Sequence, residues 1–317
     1  MFWEKLIESV GLLVILILLG VVLRRIGLLR DEHGPLLARL VTQVTLPALI
    51  FSALARSTMQ WVYLELAGAM LFAETLCLAL GWILARAARL GPAQSGAVIL
   101  TAGFGSSSLL GYPLISALYP DDAPALMQAA VISELGVAPL LFTVGTMIAL
   151  YYGAHTATNG TTPLRAALKF FYSPIFIALC AGLAWSLAGL PHSGPGLDML
   201  FRGLGQLADA NTFLVALTVG VALRFDGLRA ILWLALGVAA IKLLLKPLLV
   251  WLPAHWIGVS SIELQILLIE ATMPSAMLTA VLARSYGCDA TLASKLILAT
   301  SLASIATVVL MLELLAP

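Results

Sequence analysis

Apolar runs of membrane-spanning length follow one another along the whole chain, separated by connections too short to fold on their own. A hydrocarbon core of about 30 Å takes about 20 apolar residues per helix. By that measure about ten segments can be marked, near 6–27, 35–55, 61–86, 93–118, 123–152, 167–189, 197–223, 228–252, 260–286 and 291–315. The connections carry the turn chemistry: "LLRDEHGP", "RLGPAQ", "YPDDAP", "GLPHSGPG", "LRFDG" and "YGCDA". Only 10% of residues are charged against 61% hydrophobic, too little polar surface for a soluble domain. The expected fold is an all-α membrane protein of about ten transmembrane helices. Arg24 and Arg25, not a small-residue cleavage site, follow the apolar stretch Val10 to Leu23, so the first segment reads as a retained helix.

The basic residues alternate with the loops. Arg24, Arg25, Arg30, Arg39, Arg86, Arg89, Arg165, Lys169, Arg224, Arg229, Arg284 and Lys295 lie at loops after odd-numbered segments. The opposite side has Lys5, Arg56 and Arg202. Positive residues stay on the cytoplasmic side, so both termini are expected to face out of the cytoplasm, in the inner (plasma) membrane of a bacterium.

The sequence also repeats itself weakly. "GVVLRRIGL" (Gly20 to Leu28) matches "GLAWSLAGL" (Gly182 to Leu190), and "YPDDA" (Tyr119 to Ala123) matches "YGCDA" (Tyr286 to Ala290). Five segments per copy is an odd number, so the copies enter the membrane in opposite directions. This is the inverted-repeat plan of secondary transporters, with a first repeat at 1–155 and a second at 156–317. The longest connection, 153–163, falls between them.

Corresponding segments are interrupted alike. Segment four holds "TAGFGSSSLLGYP", with Gly103, Gly105, Ser106, Ser107, Ser108, Gly111 and Pro113. Segment nine holds "EATMPSAM", with Glu270, Pro274 and Ser275. Proline removes an amide donor and clashes with the preceding turn. A broken helix frees amides at the start of one half and carbonyls at the end of the other. Free amides, the helix dipole and hydroxyls together favour an anion. They are expected near Ser106–Ser108 and Ser275–Ala276, where they would bind an anion with little formal positive charge. A proline kink repaired by hydroxyls is the structural alternative.

These residues resemble the auxin efflux carrier family, which includes bacterial permeases and the plant PIN-type auxin exporters. "GVVLRRIGLL" with "VTLPALIFSAL" resembles its first two helices, "SSSLLGYPLISALYP" its fourth, and "KFFYSPIFIALCAGLAWSL" the start of its second half. "EATMPSAMLTAVLARSYGCDATLAS" is similar to its ninth helix and the following turn. The resemblance covers nearly the whole chain. It implies ten helices in two inverted five-helix repeats, with helices 4 and 9 broken and crossing at the midplane, and carriage of a small organic anion. Gly105 and Ser106 stand where PIN-type members have a Pro-Asn pair, and Pro274 matches the proline of helix nine. Glu74 matches an acid of helix three. The family's lysine one turn later is Leu78 here. These departures speak against auxin itself and against an ion pair at that spot. The long cytoplasmic loop of many plant members is absent, so the chain looks like a compact bacterial member.

Other polar residues lie inside the spans. A carboxyl in the bilayer interior is a functional hypothesis by default, which makes Glu74 and Glu270 candidate proton or ion carriers. Lys242 is deep enough to pair with an acid, Glu270 being one candidate, whereas Lys246 is placed to snorkel to the outer interface. Gln43, Asn211 and Thr212 are candidate cavity-lining residues, or helix-to-helix hydrogen bonders. Glu134 is read as hydrogen-bonding a neighbouring helix, and Glu65 as interfacial. Cys77, Cys180 and Cys288 read as packing residues. No HExxH, Cys/His cluster or phosphate loop is present. No enzyme, metal or cofactor is therefore expected, and no basic patch suggests nucleic acid. The expected partners are a small organic anion, a carboxylate, and membrane lipid; a homodimer is compatible with the sequence. A secondary carrier is the first reading, with an anion sensor and a channel as alternatives. A reporter enzyme active only outside the cytoplasm should be active when fused after Pro317, and a fluorescent reporter that matures only in the cytoplasm should be dark. The reverse result overturns the orientation.

Overall fold

The computed structural model describes residues 2–120, 122–153, 171–194, 196–222 and 231–315. The expectations placed on Arg165, Lys169, Arg224, Arg229, the 153–163 connection beyond Gly153 and the 155/156 repeat junction lie outside these residues. The described chain is helical. Its elements are α1 (Phe2–Arg25), α2 (Gly34–Ala55), α3 (Trp61–Ala87), α4 (Pro92–Gly103), α5 (Ser107–Leu118), α6 (Ala123–Gly153), α7 (Pro174–Leu187), α8 (Leu197–Ala222), α9 (Leu232–Ile257), α10 (Ser261–Thr272), α11 (Met277–Tyr286) and α12 (Ala290–Leu315). Each of the ten stretches marked in the sequence holds helix. Seven helices are uninterrupted and apolar over a spanning length: α1, α2, α3, α6, α8, α9 and α12.

Prolines shape several of these helices from within. Widened π turns occupy Val41–Thr45, Ser107–Gly111, Ile132–Val137 and Ala240–Leu245. Each stands two residues before a proline: Pro47, Pro113, Pro139 and Pro247. A proline ring collides with the carbonyl four residues back, and that carbonyl falls inside the π turn in all four cases. Widening the turn moves it aside without ending the helix. A fifth π turn, Leu141–Gly145, has no such proline.

Two compact units divide the chain. The first takes Met1–Tyr63, Ser108–Val131 and Phe171–Leu223. Within it α1 packs on α8, and α7 packs on α2. Both contacts are backbone-close at a glycine. A Cβ on Gly20 would lie 3.1 Å from the Cα of Gly220, and one on Gly182 would lie 2.7 Å from the Cβ of Leu54. Arg24 donates to the Val221 carbonyl at 2.8 Å, and the buried Thr45 hydroxyl donates to Asn211 Oδ1 at 2.9 Å. Cys180, expected to pack, is exposed on α7, a position that a small apolar side chain can occupy against lipid.

The second unit takes Leu64–Ser107, Ile132–Phe170 and Arg224–Pro317. Here α4 packs on the C-terminal part of α6, α10 on α9, and α11 on α12. Neither unit coincides with a sequence half.

Aspartates start two of the helices. Asp122 accepts from the Ala125 amide at 3.0 Å, capping α6, and Asp289 accepts from the Leu292 amide at 2.9 Å, capping α12.

Replacing Gly20 by leucine should destabilise the folded protein by about 1–3 kcal/mol, since the new side chain meets backbone. Gly11→Leu, at a position with nothing within 4 Å, should leave the melting temperature in detergent unchanged. Equal melting of the two variants would contradict the tight α1–α8 contact.

Candidate functional site

The two interruptions read from the sequence meet each other in the second unit. Helix α4 ends at Gly103, and α10 ends at Thr272. Between α4 and α5, and between α10 and α11, the backbone is extended, and Gly105 faces Ser275 in an isolated antiparallel bridge. The Ser106 amide donates to the Pro274 carbonyl at 2.8 Å, and the Ala276 amide donates to the Phe104 carbonyl at 2.9 Å. Each break therefore satisfies backbone groups of the other, which lipid could not do.

This corrects the expectation that the amides at Ser106, Ser275 and Ala276 are open to an anion. Ser106 and Ala276 are used in the bridge, and the Ser275 amide donates to Thr300 Oγ1 at 3.2 Å. The Ser275 hydroxyl is occupied as well, donating to the Thr101 carbonyl at 2.6 Å. Ser107 bonds Ser133 hydroxyl to hydroxyl at 2.9 Å. Ser108 begins to turn outward and is only partly buried. Ser106 is different: its hydroxyl is buried and has no hydrogen-bond partner. By helix geometry the first-turn amides of α11, at Met277 and Leu278, are donors that the helix itself does not use.

Charge is concentrated beside the bridge, against the expectation of little formal positive charge there. Glu74 of α3 and Lys242 and Lys246 of α9 are all fully buried. Lys246 is hydrogen-bonded and ion-paired to Glu74. The expected snorkelling of Lys246 is thus overturned: a buried carboxylate one helix away holds the ammonium inside. Lys242 lies 3.8 Å from the same Glu74 oxygen and donates to the Gly103 carbonyl at 3.1 Å. The predicted Lys242–Glu270 pairing is therefore replaced by a Glu74 contact and by a carbonyl that the end of α4 leaves open. Leu78 does leave α3 without its own lysine, but an ion pair forms at Glu74 all the same, because α9 supplies two. The Leu78 side chain instead packs where a Cβ on Gly103 would stand.

Gly105 follows from this arrangement. A Cβ there would lie 2.8 Å from Lys242 Nζ and 3.4 Å from Lys246 Nζ. Glycine lets the ammonium groups reach the broken backbone.

Glu270 is fully buried, and neither of its carboxyl oxygens has a hydrogen-bond partner. Its polar neighbours are Lys246, Glu134 and Ser107, the last beside the carboxyl but outside hydrogen-bond geometry. Gly105, Ser106, Ser107, Pro274, Ser275, Glu74, Glu270 and Lys242 are thus assembled in one unit. Asn211 and Thr212 belong to the other, Asn211 buried against Thr45, as does Gln43, which is exposed.

A family model described as Membrane transport protein matches residues 5–312. The chain belongs to that family, the family of the auxin efflux carriers. It is similar to an uncharacterized transporter of Methanothermobacter thermautotrophicus, 26% identical over 300 residues and 94% of each chain. It is also similar to an uncharacterized transporter of Methanocaldococcus jannaschii, 23% identical over 309 residues and 96% of each chain. The protein is accordingly an integral membrane transporter, not an enzyme.

Sequence reading missed several groups that build this transporter's buried centre. Thr101 and Thr300, whose carbonyl and hydroxyl receive Ser275, look like any other membrane threonines. Lys246 carried a signal, its spacing of four from Lys242, which puts both ammonium groups on one helix face. Removing Glu74 while keeping Lys246 leaves a buried charge unpaired, and breaking such a pair costs about 3–5 kcal/mol. Glu74→Gln should lower the melting temperature strongly, and Glu74→Gln with Lys246→Met should recover most of the loss. Failure of the second substitution to rescue would remove the pair from the core of the fold.

Proposed function

We propose that this transporter carries a small organic anion, a carboxylate, by alternating access at crossed, broken helices near the bilayer midplane, with proton coupling. One observation carries the reading: where two helices unwind, the buried Lys242 reaches the backbone at Gly103 and Gly105, and the next residue, Ser106, has a buried hydroxyl with no partner. Lys242 supplies the counter-charge, Ser106 and the first-turn amides of α11 supply donors, and the bridge holds them in place. Pro274 and Gly105 keep the helices broken; Ser107 and Ser275 fix the break to its neighbours. Glu74 orients the lysines. Glu270 carries the proton.

The inverted repeat of ten helices is part of this proposal. Gly20 and Gly182 are equivalent in the two copies. The first lets segment one approach segment seven, and the second lets segment six approach segment two. Asp122 and Asp289 are also equivalent, and each caps the helix that follows it at the third amide. The first unit draws segments one, two, six and seven, matching members of both halves, together with Ser108–Val131 of segments four and five. A topology with both termini outside the cytoplasm, in the inner membrane, completes the reading.

Purified protein in liposomes should take up labelled mono- and dicarboxylates saturably, with counterflow, faster under an inward acid gradient. Lys242→Met and Ser106→Ala should each reduce uptake at least tenfold in folded protein. Single-channel current steps would instead favour a channel, and absence of flux with any acid would favour a sensor.

A further inference from the structure

Helix α3 closes on an arginine where other helices close on glycine. The Arg89 amide donates to the Arg86 carbonyl at 3.0 Å, and the Leu90 amide donates to the Ala85 carbonyl at 3.2 Å. This closure needs a left-handed residue just past the helix, and Arg89 takes that place at φ 51°. After α7 the same two bonds recur, from Gly189 to Ser186 and from Leu190 to Trp185, and the left-handed residue is glycine. Glycine also holds the left-handed position after α1, α9 and α11, at Gly27, Gly258 and Gly287. Only glycine avoids the clash that a Cβ meets there. An arginine kept in that conformation calls for a use of its side chain.

One turn earlier, the Arg86 guanidinium lies over the exposed Trp82 ring, 5.2 Å from its centre. Both arginines are exposed, and neither side chain makes a hydrogen bond or an ion pair among the described residues. Residues 86–95 hold no acid. Asp289 comes near, its amide donating to the Ala93 carbonyl at 3.0 Å, but its carboxyl takes the Leu292 amide. Two planar forks of donors are thus left without an acceptor.

The rest of α3 fixes their depth. From Trp61 to Trp82 is about 31 Å of helix, the thickness of a hydrocarbon core. Tryptophans mark the two interfaces, which sets Arg86 and Arg89 at headgroup level. Between the tryptophans α3 turns Leu71, Phe72, Thr75 and Ala79 outward, and the Thr75 hydroxyl folds back on the Leu71 carbonyl at 2.9 Å. The charged residue on this face, Glu65, is one turn from Trp61, at the far end.

We propose that the end of α3 binds an anionic phospholipid, its phosphate held by Arg86 and Arg89 and an acyl chain lying along Leu71, Phe72 and Ala79. The occupant follows from charge and depth: an apolar face that ends in two unpaired guanidinium groups is matched by an apolar tail that ends in an anion. Guanidinium forks take phosphate oxygens in pairs. Trp82 holds Arg86 in place beforehand, so less freedom is lost on binding. A zwitterionic lipid would bring its own cation to the arginines and is the poorer match. The site does not depend on what the transporter carries.

Full-length protein in detergent can be given equal amounts of phosphatidylglycerol and phosphatidylcholine, and the lipids it retains counted by native mass spectrometry. The wild type should retain phosphatidylglycerol in preference. Lipid-free Arg89→Gly should melt no lower than wild type, because glycine suits the backbone, yet its preference should weaken. Arg86→Gln with Arg89→Gly should lower the preference by about tenfold or more. Arg25→Gln with Arg39→Gln, which removes two exposed arginines elsewhere, should leave it unchanged. Equal losses in the two double variants would mean diffuse attraction to positive charge and overturn the site. No preference in the wild type, or an unchanged preference without Arg86 and Arg89, would overturn it as well. Lower melting of lipid-free Arg89→Gly would give the arginine to the fold and remove the argument for the site. A change from dimer to monomer without Arg86 and Arg89, with the lipid preference intact, would assign this face to a second copy instead.

Discussion

Two backbone hydrogen bonds, from Ser106 to Pro274 and from Ala276 to Phe104, make the rest of this centre possible. A helix interrupted inside a bilayer exposes polar backbone that lipid cannot satisfy, and each such group costs several kcal/mol. One broken helix would have to recruit side chains or water for every exposed group. Two broken helices placed side by side supply donors and acceptors to each other, as adjacent strands do. The Thr300 hydroxyl and the Thr101 carbonyl complete the set around Ser275.

Once the break is stabilised in this way, its remaining open carbonyl becomes an attraction for cations. Gly103, the last residue of α4, has its carbonyl taken by Lys242. Lys242 is deep in the protein because Glu74 is there to share, and Glu74 is tolerable there because Lys246 pairs with it. Removing one member leaves another uncompensated, which is more costly than removing the pair. Backbone geometry and ionic balance are therefore one problem in this molecule, solved jointly by α3, α4, α9 and α10.

The sequence was informative where single residues dictate local backbone. Apolar length marked the helices, and glycine and proline marked both breaks. It was less informative where one side chain has several possible partners in space. Spacing put Lys242 and Lys246 on one face, but snorkelling and burial follow from the same spacing, and only the position of Glu74 on a neighbouring helix decides between them. The amides of Ser106 and Ala276 read as open because bringing the two breaks together does not by itself say that their backbones pair. Their partners lie about 170 residues away by sequence number, and no local pattern announces a bridge of two residues. Leu78 misled for a related reason: the charge missing from α3 was provided by another helix.

The contact between Gly105 and Lys242 has a consequence for how such a sequence can change over time. A Cβ at position 105 would come within 2.8 Å of the Lys242 ammonium, so a substitution there requires that ammonium to give up its place at the Gly103 carbonyl. If position 242 first becomes short or apolar, space opens and position 105 is released. The two positions can therefore diverge in one order far more readily than in the other. Descendants that fill position 105 are expected to have already given up the lysine, and with it the fixed positive charge at the centre.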